Sequence, residues 1–199
     1  CYISEDYLTY EKEKIFLNKW TVIGVASSIP NPGDAKPYNL LGIPLILVGD
    51  SASMTVYGYD TTIPVSMDEM LLLVQAVARG ARNSLIVADM PFLSYQPSVE
   101  AAIENAGKLI KDGGAGAVKI EGGRTVAEHI KSLVGFGIPV LAHVGLTPQS
   151  YHQLSGYSIQ GKTQKEADQI IDDAKAVEDA GAFGVVLECI PQELAKHIT

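Results

Sequence analysis

Ionisable side chains stand at or just after the ends of five short apolar runs in this 199-residue sequence. They are Asp50 with Ser51, Asp89, Lys119 with Glu121, His143 and Glu188. For any single residue of this kind, a solvated turn or a partnered polar group in the core is as good an explanation as a functional site. Five at corresponding positions favour a shared polar mouth. Three carboxylates without neighbouring cysteines favour Mg²⁺ over Zn²⁺, so Asp50, Asp89 and Glu121 are the predicted metal ligands.

Such a mouth suits the enolisation of a 2-oxo acid. An oxo acid fills two open positions on Mg²⁺ with its carboxylate and ketone, and the metal then acidifies the adjacent C–H. Glu188 lies between Leu187 and Cys189, and we expect these apolar neighbours to raise its pKa toward that of a useful general base. Lys119 is expected to neutralise the substrate carboxylate. His143 fits an acid, a hydrogen-bond donor or a satisfied core histidine, and we favour a supporting role.

The apolar runs that precede these residues are nearly continuous rather than alternating. They are Leu45–Val48, Leu85–Ala88, Ala117–Ile120, Val140–Val144 and Val185–Ile190. This pattern is typical of parallel strands that are buried on both faces. Helical stretches separate most of the runs, which predicts an α/β fold with a parallel sheet, open or closed. Ligand sites in both kinds of sheet lie at the carboxyl ends of the strands.

Paired residues with capping-box spacing mark the starts of three predicted helices. The pairs are Ser66 with Glu69, Thr125 with Glu128, and Thr163 with Glu166. A fourth helix is expected to start near Pro97 and to end at Gly113 and Gly114.

Composition and charge narrow the class of protein. The net charge of −8 and the pI near 4.9 disfavour binding to nucleic acid or to anionic membrane surfaces. No apolar run approaches the roughly 18 residues that a membrane helix needs. Neither Cys1 nor Cys189 has a nearby partner, so no disulfide scaffold or C-x-x-C metal site is indicated. With no secretory signal, the expected location is cytoplasmic.

Several long motifs occur in order from about residue 43 to residue 199. They are ILVGDS, GYDTTIPVSMDEM, AVARG, VADMPFLSY, AVKIEGG, GIPVLAHVGLTPQS, GYSIQGKT, DAKAVEDAGAF and VLECIP. Together they resemble the ketopantoate hydroxymethyltransferase family, which acts in pantothenate biosynthesis. The resemblance implies a (β/α)8 TIM barrel that binds Mg²⁺ and forms homo-oligomers. It also implies transfer of a hydroxymethyl group from 5,10-methylenetetrahydrofolate to 3-methyl-2-oxobutanoate, giving 2-dehydropantoate.

The same resemblance assigns roles to individual residues. It implies that the three carboxylates named above surround the metal and that Glu188 removes the proton from C3 of the oxo acid. The residues implied to contact the oxo acid are Ser51, Asp50, Asp89 and Lys119. These roles agree with those that the residue types alone suggest.

The first part of the chain departs from this family. The motifs YEKEKIF, IPNPGD and GIPLILV resemble the N-terminal lead of Rieske-type aromatic-ring dioxygenase large subunits. The Cys-x-His and Cys-x-x-His pairs of a Rieske cluster are absent from the sequence. We therefore predict a segment of different origin over 1–42 and a partial barrel over 43–199, with a chimeric junction near residues 42–49. A divergent N-terminal extension is the alternative, and it would place Val22–Ala26 as the first barrel strand.

About five of the eight barrel strands are recognisable. The resemblance implies two further strand–helix units after VLECIP. We expect an open sheet with an uncovered edge after Glu188, a tendency to associate, and little transferase activity from the isolated chain.

Two other functions remain open at this point. One is another Mg²⁺-dependent barrel enzyme acting on a 2-oxo acid, such as a carbon–carbon lyase or a phosphonopyruvate-mutase-like enzyme. Such enzymes usually carry a loop cysteine, and the loop directly after the EGG motif at Gly122–Gly123 contains none. The other is a non-catalytic fragment or chimera that binds metal weakly or not at all. The polar loop from Gly145 to Lys162 is interpreted as a lid, a folate-side loop or a structural loop.

Overall fold

The computed structural model describes residues 38–40, 43–154 and 156–199, and a six-stranded sheet lies at its centre. The strands follow one another in chain order. They are β1 (Tyr38–Leu40), β2 (Ile43–Val48), β3 (Leu85–Asp89), β4 (Ala117–Glu121), β5 (Val140–Gly145) and β6 (Gly184–Glu188). Strands β2 to β6 are parallel neighbours, whereas β1 pairs antiparallel with β2. The five predicted strands are therefore confirmed, and they form a half-barrel within an α/β fold.

Seven helices connect or follow these strands in the described part of the chain. They are α1 (Ala52–Thr55), α2 (Met67–Gly80), α3 (Val99–Lys111), α4 (Ala127–Gly135), α5 (Tyr151–Leu154), α6 (Gln164–Asp179) and α7 (Gln192–Ile198). Two 3₁₀ turns, Arg124–Val126 and Pro148–Ser150, precede α4 and α5. The longer helices α2, α3, α4 and α6 alternate with the parallel strands, as the sequence pattern predicts.

Two of the three predicted capping boxes are present. The Ser66 hydroxyl accepts a hydrogen bond from the backbone N–H of Glu69 at 3.3 Å, and the Glu69 carboxylate accepts one from Ser66 N–H at 2.8 Å. Thr163 and Glu166 make the same reciprocal pair at the start of α6. Each box satisfies N–H groups that the first helical turn leaves without partners.

The third predicted box is wrong. Helix α4 begins at Ala127, and its N-cap residue, Val126, makes no side-chain cap. Thr125 lies instead inside the 3₁₀ turn, where the backbone N–H of Arg124 donates to the Asp173 carboxylate at 3.0 Å. A hydrogen bond to Asp173 of α6 therefore holds the start of this turn, and the expected cap does not form.

Apolar side chains pack on both faces of the sheet. The larger core lies between the sheet and the helices and includes Val118 and Ile120. A smaller cluster, which includes Ala117 and Leu141, covers the opposite face. Because side chains alternate along a strand, Lys119 lies on the same face as Ala117. The polar residues at the strand ends thus continue the inner face of the half-barrel.

Burial on both faces is complete only in the middle of the sheet. Every residue of β4 is buried, and β3 and β5 each have one half-buried end. The last three residues of β6 are half-buried, and Leu47 in β2 is 41% exposed. The prediction of strands buried on both faces therefore holds for β3 to β5, and β2 and β6 are more open.

The predicted segment 1–42 lies outside the described residues except for β1, and so does the predicted strand Val22–Ala26. Among the described residues, β6 is the last strand of the sheet. No helix in the described ranges combines the length and apolar character that a bilayer crossing requires.

Candidate active site

The carboxyl ends of the parallel strands bring the predicted residues side by side. Asp89 is in register with Lys119 across β3 and β4, and Glu121 with His143 across β4 and β5. Glu188 ends β6 next to the end of β5. The convergence expected from the strand pattern therefore exists in the folded chain.

A buried ammonium group stands at the centre of this cluster. Nζ of Lys119 lies 2.7 and 2.9 Å from the two carboxylate oxygens of Asp89 and 3.5 Å from Oε1 of Glu121. Burial alone would lower the pKa of Lys119, but the nearby carboxylates of Asp89, Glu121 and Asp50 outweigh it and raise that pKa above its usual value. The surrounding carboxylates therefore favour the charged form of Lys119.

Asp50 closes the cluster from the end of β2. Its backbone N–H donates to Oδ2 of Asp89 at 3.3 Å, and the residue is 3% exposed. Burial, followed by repulsion from Asp89, raises the pKa of Asp50 to about 7, while Lys119 and a hydrogen bond from Gln149 act in the opposite direction. A buried carboxyl group with a raised pKa and a second carboxylate beside it favours binding of either a proton or a cation.

His143 connects the cluster to Glu188. Its Nε2 lies 3.2 Å from Oε2 of Glu188, and its Nδ1 lies 3.6 Å from Oε1 of Glu121. Neither contact has the geometry of a hydrogen bond in this structure. The Glu188 side chain is 33% exposed, whereas the side chains of Glu121 and His143 are almost completely buried. Among these three, Glu188 is the one that a substrate can reach.

Ser51 lies at the rim of the cluster. It is exposed, and it follows Asp50 at the entrance to the short helix α1. Its backbone carbonyl accepts the amide hydrogen bonds of Met54 and Thr55. The predicted contact between Ser51 and the oxo acid stays a prediction.

The sequence of residues 32–199 matches the model of a family described as ketopantoate hydroxymethyltransferase. The chain belongs to this family. The match begins before residue 43, where the sequence places its segment boundary, and the separate origin of residues 1–42 stays a prediction.

Curated relatives in this family carry the name 3-methyl-2-oxobutanoate hydroxymethyltransferase. The protein from Carboxydothermus hydrogenoformans is 57% identical over 158 residues, which cover 79% of this chain and 57% of the relative. The protein from Syntrophus aciditrophicus is 54% identical over 159 residues, covering 80% of this chain and 58% of the relative. The chain thus matches somewhat more than half the length of these ketopantoate hydroxymethyltransferases.

One solved structure shows a weaker likeness. A crystal structure of dihydrodipicolinate synthase from Bacillus clausii aligns with a TM-score of 0.39 and 14% identity. The alignment covers 75% of this chain and 56% of that one.

The carboxylates of the site differ in how well they fit a divalent metal ion. Among the described residues, no group of three His, Cys, Asp or Glu side chains is gathered closely enough to hold one. The neighbouring pair Asp50 and Asp89 fits a hard cation, because both are buried and repel each other. Glu121 turns one oxygen toward Lys119 and the other to the backbone N–H of Gln149. The three-carboxylate Mg²⁺ site stays a prediction.

Gln149 is a buried member of the site that the sequence analysis missed. It lies in the 3₁₀ turn after β5, is 5% exposed, and donates to a carboxylate oxygen of Asp50 at 2.9 Å. The only signal in the sequence was an amide in the polar loop that follows His143. Tyr95 is almost completely buried beside it, and its hydroxyl donates to Oε1 of Gln149 at 2.8 Å.

The backbone at Glu188 is held by the end of β5. The N–H of Leu146 donates to the Glu188 carbonyl at 2.9 Å. Gly145 has φ +94°, and a Cβ there would overlap that carbonyl oxygen. Cys189 adopts a left-handed φ of 48° directly after Glu188. Burial, and then the charge of Glu188, raise the pKa of the Cys189 thiol, so this cysteine stays protonated at neutral pH.

A cavity of about 520 Å³ lies between the loop after β5 and helix α6, and none of the candidate site residues lines it. The loop contributes Gly145, Ser150 and Gln160 to its wall, and α6 contributes Asp173, which pairs with Arg124 at 3.0 Å. The interpretation of this loop as a lid or a folate-side loop stays a prediction.

Proposed function

We propose that these residues bind and enolise 3-methyl-2-oxobutanoate for the transfer of a hydroxymethyl group from 5,10-methylenetetrahydrofolate. The observation that supports this best is the arrangement around Lys119. A buried ammonium group lies against Asp89 and Glu121, and a more exposed carboxylate, Glu188, stands two strands away on the same edge of the sheet. Membership of the ketopantoate hydroxymethyltransferase family supports the identity of the substrates.

Lys119 has the charge needed to hold the carboxylate of the oxo acid. Its raised pKa keeps it protonated, and its contact with Asp89 fixes the ammonium in place before the substrate arrives. A fixed cation in a site that excludes water attracts an anion far more strongly than one in bulk water.

The carboxylates Asp50 and Asp89 are the proposed holders of Mg²⁺. Mg²⁺, when bound there, supplies a Lewis acid that polarises the substrate ketone and lowers the pKa of the neighbouring C–H. Asp50 has to be ionised for this, and its pKa of about 7 lets it exchange a proton for a cation near neutral pH.

Glu188 is the proposed base for the proton on C3. Glu121 is already engaged by Lys119 and by the backbone of Gln149, whereas Glu188 is open to the mouth. The neighbouring His143 ring limits where the Glu188 carboxylate can turn. Breaking the C3–H bond gives the proton to Glu188 and leaves an enolate whose C3 is nucleophilic. C3 then forms the new C–C bond to the one-carbon unit, and water supplies the hydroxyl oxygen of that unit. Both C–N bonds of the folate methylene carbon break, and tetrahydrofolate leaves with one proton from C3 and one from water.

Binding of the oxo acid alone is the first test. In the presence of Mg²⁺, isothermal titration calorimetry should detect binding of 3-methyl-2-oxobutanoate to the parent chain. Lys119→Met should abolish that binding, because the fixed cation is gone. The matched control is Lys108→Met, which removes an exposed lysine paired with Glu104 at 3.0 Å and should bind normally.

Two results of this titration would contradict the proposed function. No binding by the parent, or equal binding by Lys119→Met with the fold intact by circular dichroism, would contradict it. Binding without any exchange of the C3 proton would favour the alternative of a non-catalytic fragment. Formation of 2-dehydropantoate from both substrates, detected by mass spectrometry, measures the complete reaction.

A further inference from the structure

The carboxamide of Gln149 uses every hydrogen bond that it is able to make. Its Nε2 donates to Oδ2 of Asp50 at 2.9 Å and to the carbonyl of Met90 at 2.8 Å. Its Oε1 accepts from the Tyr95 hydroxyl at 2.8 Å and from Nε2 of Gln96 at 2.9 Å. A glutamine side chain has two donor hydrogens and two acceptor lone pairs, so none is left over.

This set of partners fixes the direction of the amide. Rotation by half a turn would bring Oε1 against the Asp50 carboxylate and the Met90 carbonyl, which are both acceptors. It would also bring the NH₂ group against the NH₂ of Gln96. In a residue that is 5% exposed, such mismatches would leave buried polar groups without partners, which is unfavourable. The amide therefore has one orientation.

The same residue also holds a second carboxylate. The backbone N–H of Gln149 donates to Oε2 of Glu121 at 3.0 Å. The Tyr95 hydroxyl, which contacts the amide, also accepts the backbone N–H of Glu121 at 3.2 Å. Gln149 thus contacts one oxygen of Asp50 and one oxygen of Glu121, and the second Glu121 oxygen faces Lys119 at 3.5 Å.

We propose that Gln149 is a positioning residue that fixes the orientation of two carboxylates, that of Asp50 at the proposed cation site and that of Glu121 beside Lys119. Gln149 acts through these two carboxylates and does not touch the reacting atoms. The effects on catalysis and on cation binding rest on the proposed function, whereas the hydrogen bond from Gln149 to Asp50 does not.

Two substitutions separate positioning from simple filling of space. Gln149→Met keeps the length of the side chain and removes all four hydrogen bonds. Gln149→Glu keeps the shape but sets an oxygen against Asp50 and the Met90 carbonyl. Mn²⁺, followed by electron paramagnetic resonance, serves as the probe for cation binding. We expect both variants to weaken Mn²⁺ binding and to lower kcat for C3 exchange by about 10–100-fold, the usual effect of losing a group that orients a ligand.

The matched control is Gln164→Met. Gln164 also donates its amide to an aspartate, Asp168 at 2.8 Å, but on the exposed surface of α6. Gln164→Met should change neither Mn²⁺ binding nor the rate of C3 proton exchange. The KM for the oxo acid should change less than kcat in the Gln149 variants, because Lys119 still holds the substrate carboxylate.

A direct readout of the contact does not depend on activity. In a ¹⁵N,¹³C-labelled chain, the side-chain NH₂ of Gln149 should exchange slowly with water and show a coupling through the hydrogen bond to the Asp50 carboxyl carbon. Absence of that coupling would overturn the proposal. So would Mn²⁺ binding that is unchanged in folded Gln149→Met. If the parent chain binds Mn²⁺ but catalyses no exchange, the proposed function fails, and the Mn²⁺ comparison still decides the role of Gln149.

Discussion

Nζ of Lys119 contacts both carboxylate oxygens of Asp89, at 2.7 and 2.9 Å, and both side chains are about 5% exposed or less. Each charge in this pair stabilises the other in a place where water is nearly excluded. Removal of one partner leaves the other as an uncompensated buried charge, which is far more costly than the pair is favourable. The relationship therefore affects stability as well as substrate binding.

Lys119→Met should lower the free energy of unfolding by about 3–5 kcal/mol. Asp89→Asn added to Lys119→Met removes the stranded carboxylate, and the double variant should recover much of the loss. Urea unfolding of the four proteins in the cycle measures the coupling between the two residues. Strictly additive effects would contradict the pairing of Lys119 with Asp89.

Asp50 should make the metal-free chain less stable as the pH rises. Its pKa is raised from the ordinary value of 3.8 to about 7 in the folded chain, so the folded state holds the proton more tightly between these values. The stabilisation from the bound proton is complete below about pH 4 and is lost as the pH rises through 7. Asp50→Asn should therefore exceed the parent in stability at pH 8, by on the order of 1–4 kcal/mol, and by much less at pH 5. Urea unfolding in the presence of a chelator at both pH values is the measurement; an equal difference at pH 5 and pH 8 would argue against a raised pKa.

Mg²⁺ should offset the loss of stability that the metal-free chain shows at high pH. A cation that binds the ionised carboxylates of Asp50 and Asp89 stabilises only the folded state, by about 2.7 kcal/mol at a concentration of 100 Kd. At pH 8, the melting temperature of the parent should therefore rise with added Mg²⁺, and that of Asp50→Asn should stay unchanged. An equal rise in both proteins would move the cation away from Asp50.

The apolar runs were enough to predict the parallel strands, because a strand buried on both faces needs continuous apolar sequence. They also placed Asp89, Lys119 and His143 at one edge of the sheet, since parallel strands end on the same side. The predicted run Val185–Ile190 was too long at its end, because the strand stops at Glu188 and the chain turns at Cys189.

Features that depend on tertiary contacts were not predictable in this way. Thr125 and Glu128 have the spacing of a capping box, but Asp173 from another helix captures the backbone at Arg124. Gln149 follows no periodic pattern, and its importance comes from partners that are distant in sequence, such as Asp50. The local sequence pattern was therefore enough to locate the charged residues of the site. Only the folded chain showed that a neutral residue, Gln149, hydrogen-bonds to two of them.

Gly145→Ala should disturb Glu188 without touching its side chain. The new Cβ would overlap the Glu188 carbonyl, and φ +94° is unfavourable for alanine. We expect a loss of about 1–3 kcal/mol in the free energy of unfolding and a lower rate of C3 exchange. Gly107→Ala is the matched control, because that glycine lies within α3 with open space around it. The control should gain about 0.5–1 kcal/mol. Equal changes in the free energy of unfolding and in the exchange rate of the two variants would mean that Gly145 does not constrain Glu188.

Exchange of the C3 proton of 3-methyl-2-oxobutanoate in D₂O, followed by ¹H NMR with Mg²⁺ present, tests the proposed chemistry most directly. It requires the oxo acid, its cation and the base, and it does not require the folate. Glu188→Gln keeps the shape of the side chain and removes the base, so exchange should fall by about 10²–10⁴-fold while Mn²⁺ binding is retained. We expect measurable exchange by the parent chain and this loss in the variant. Exchange that is unchanged in Glu188→Gln would move the base elsewhere, with His143 the next candidate, and no exchange by the folded, Mg²⁺-loaded parent would contradict the proposed function.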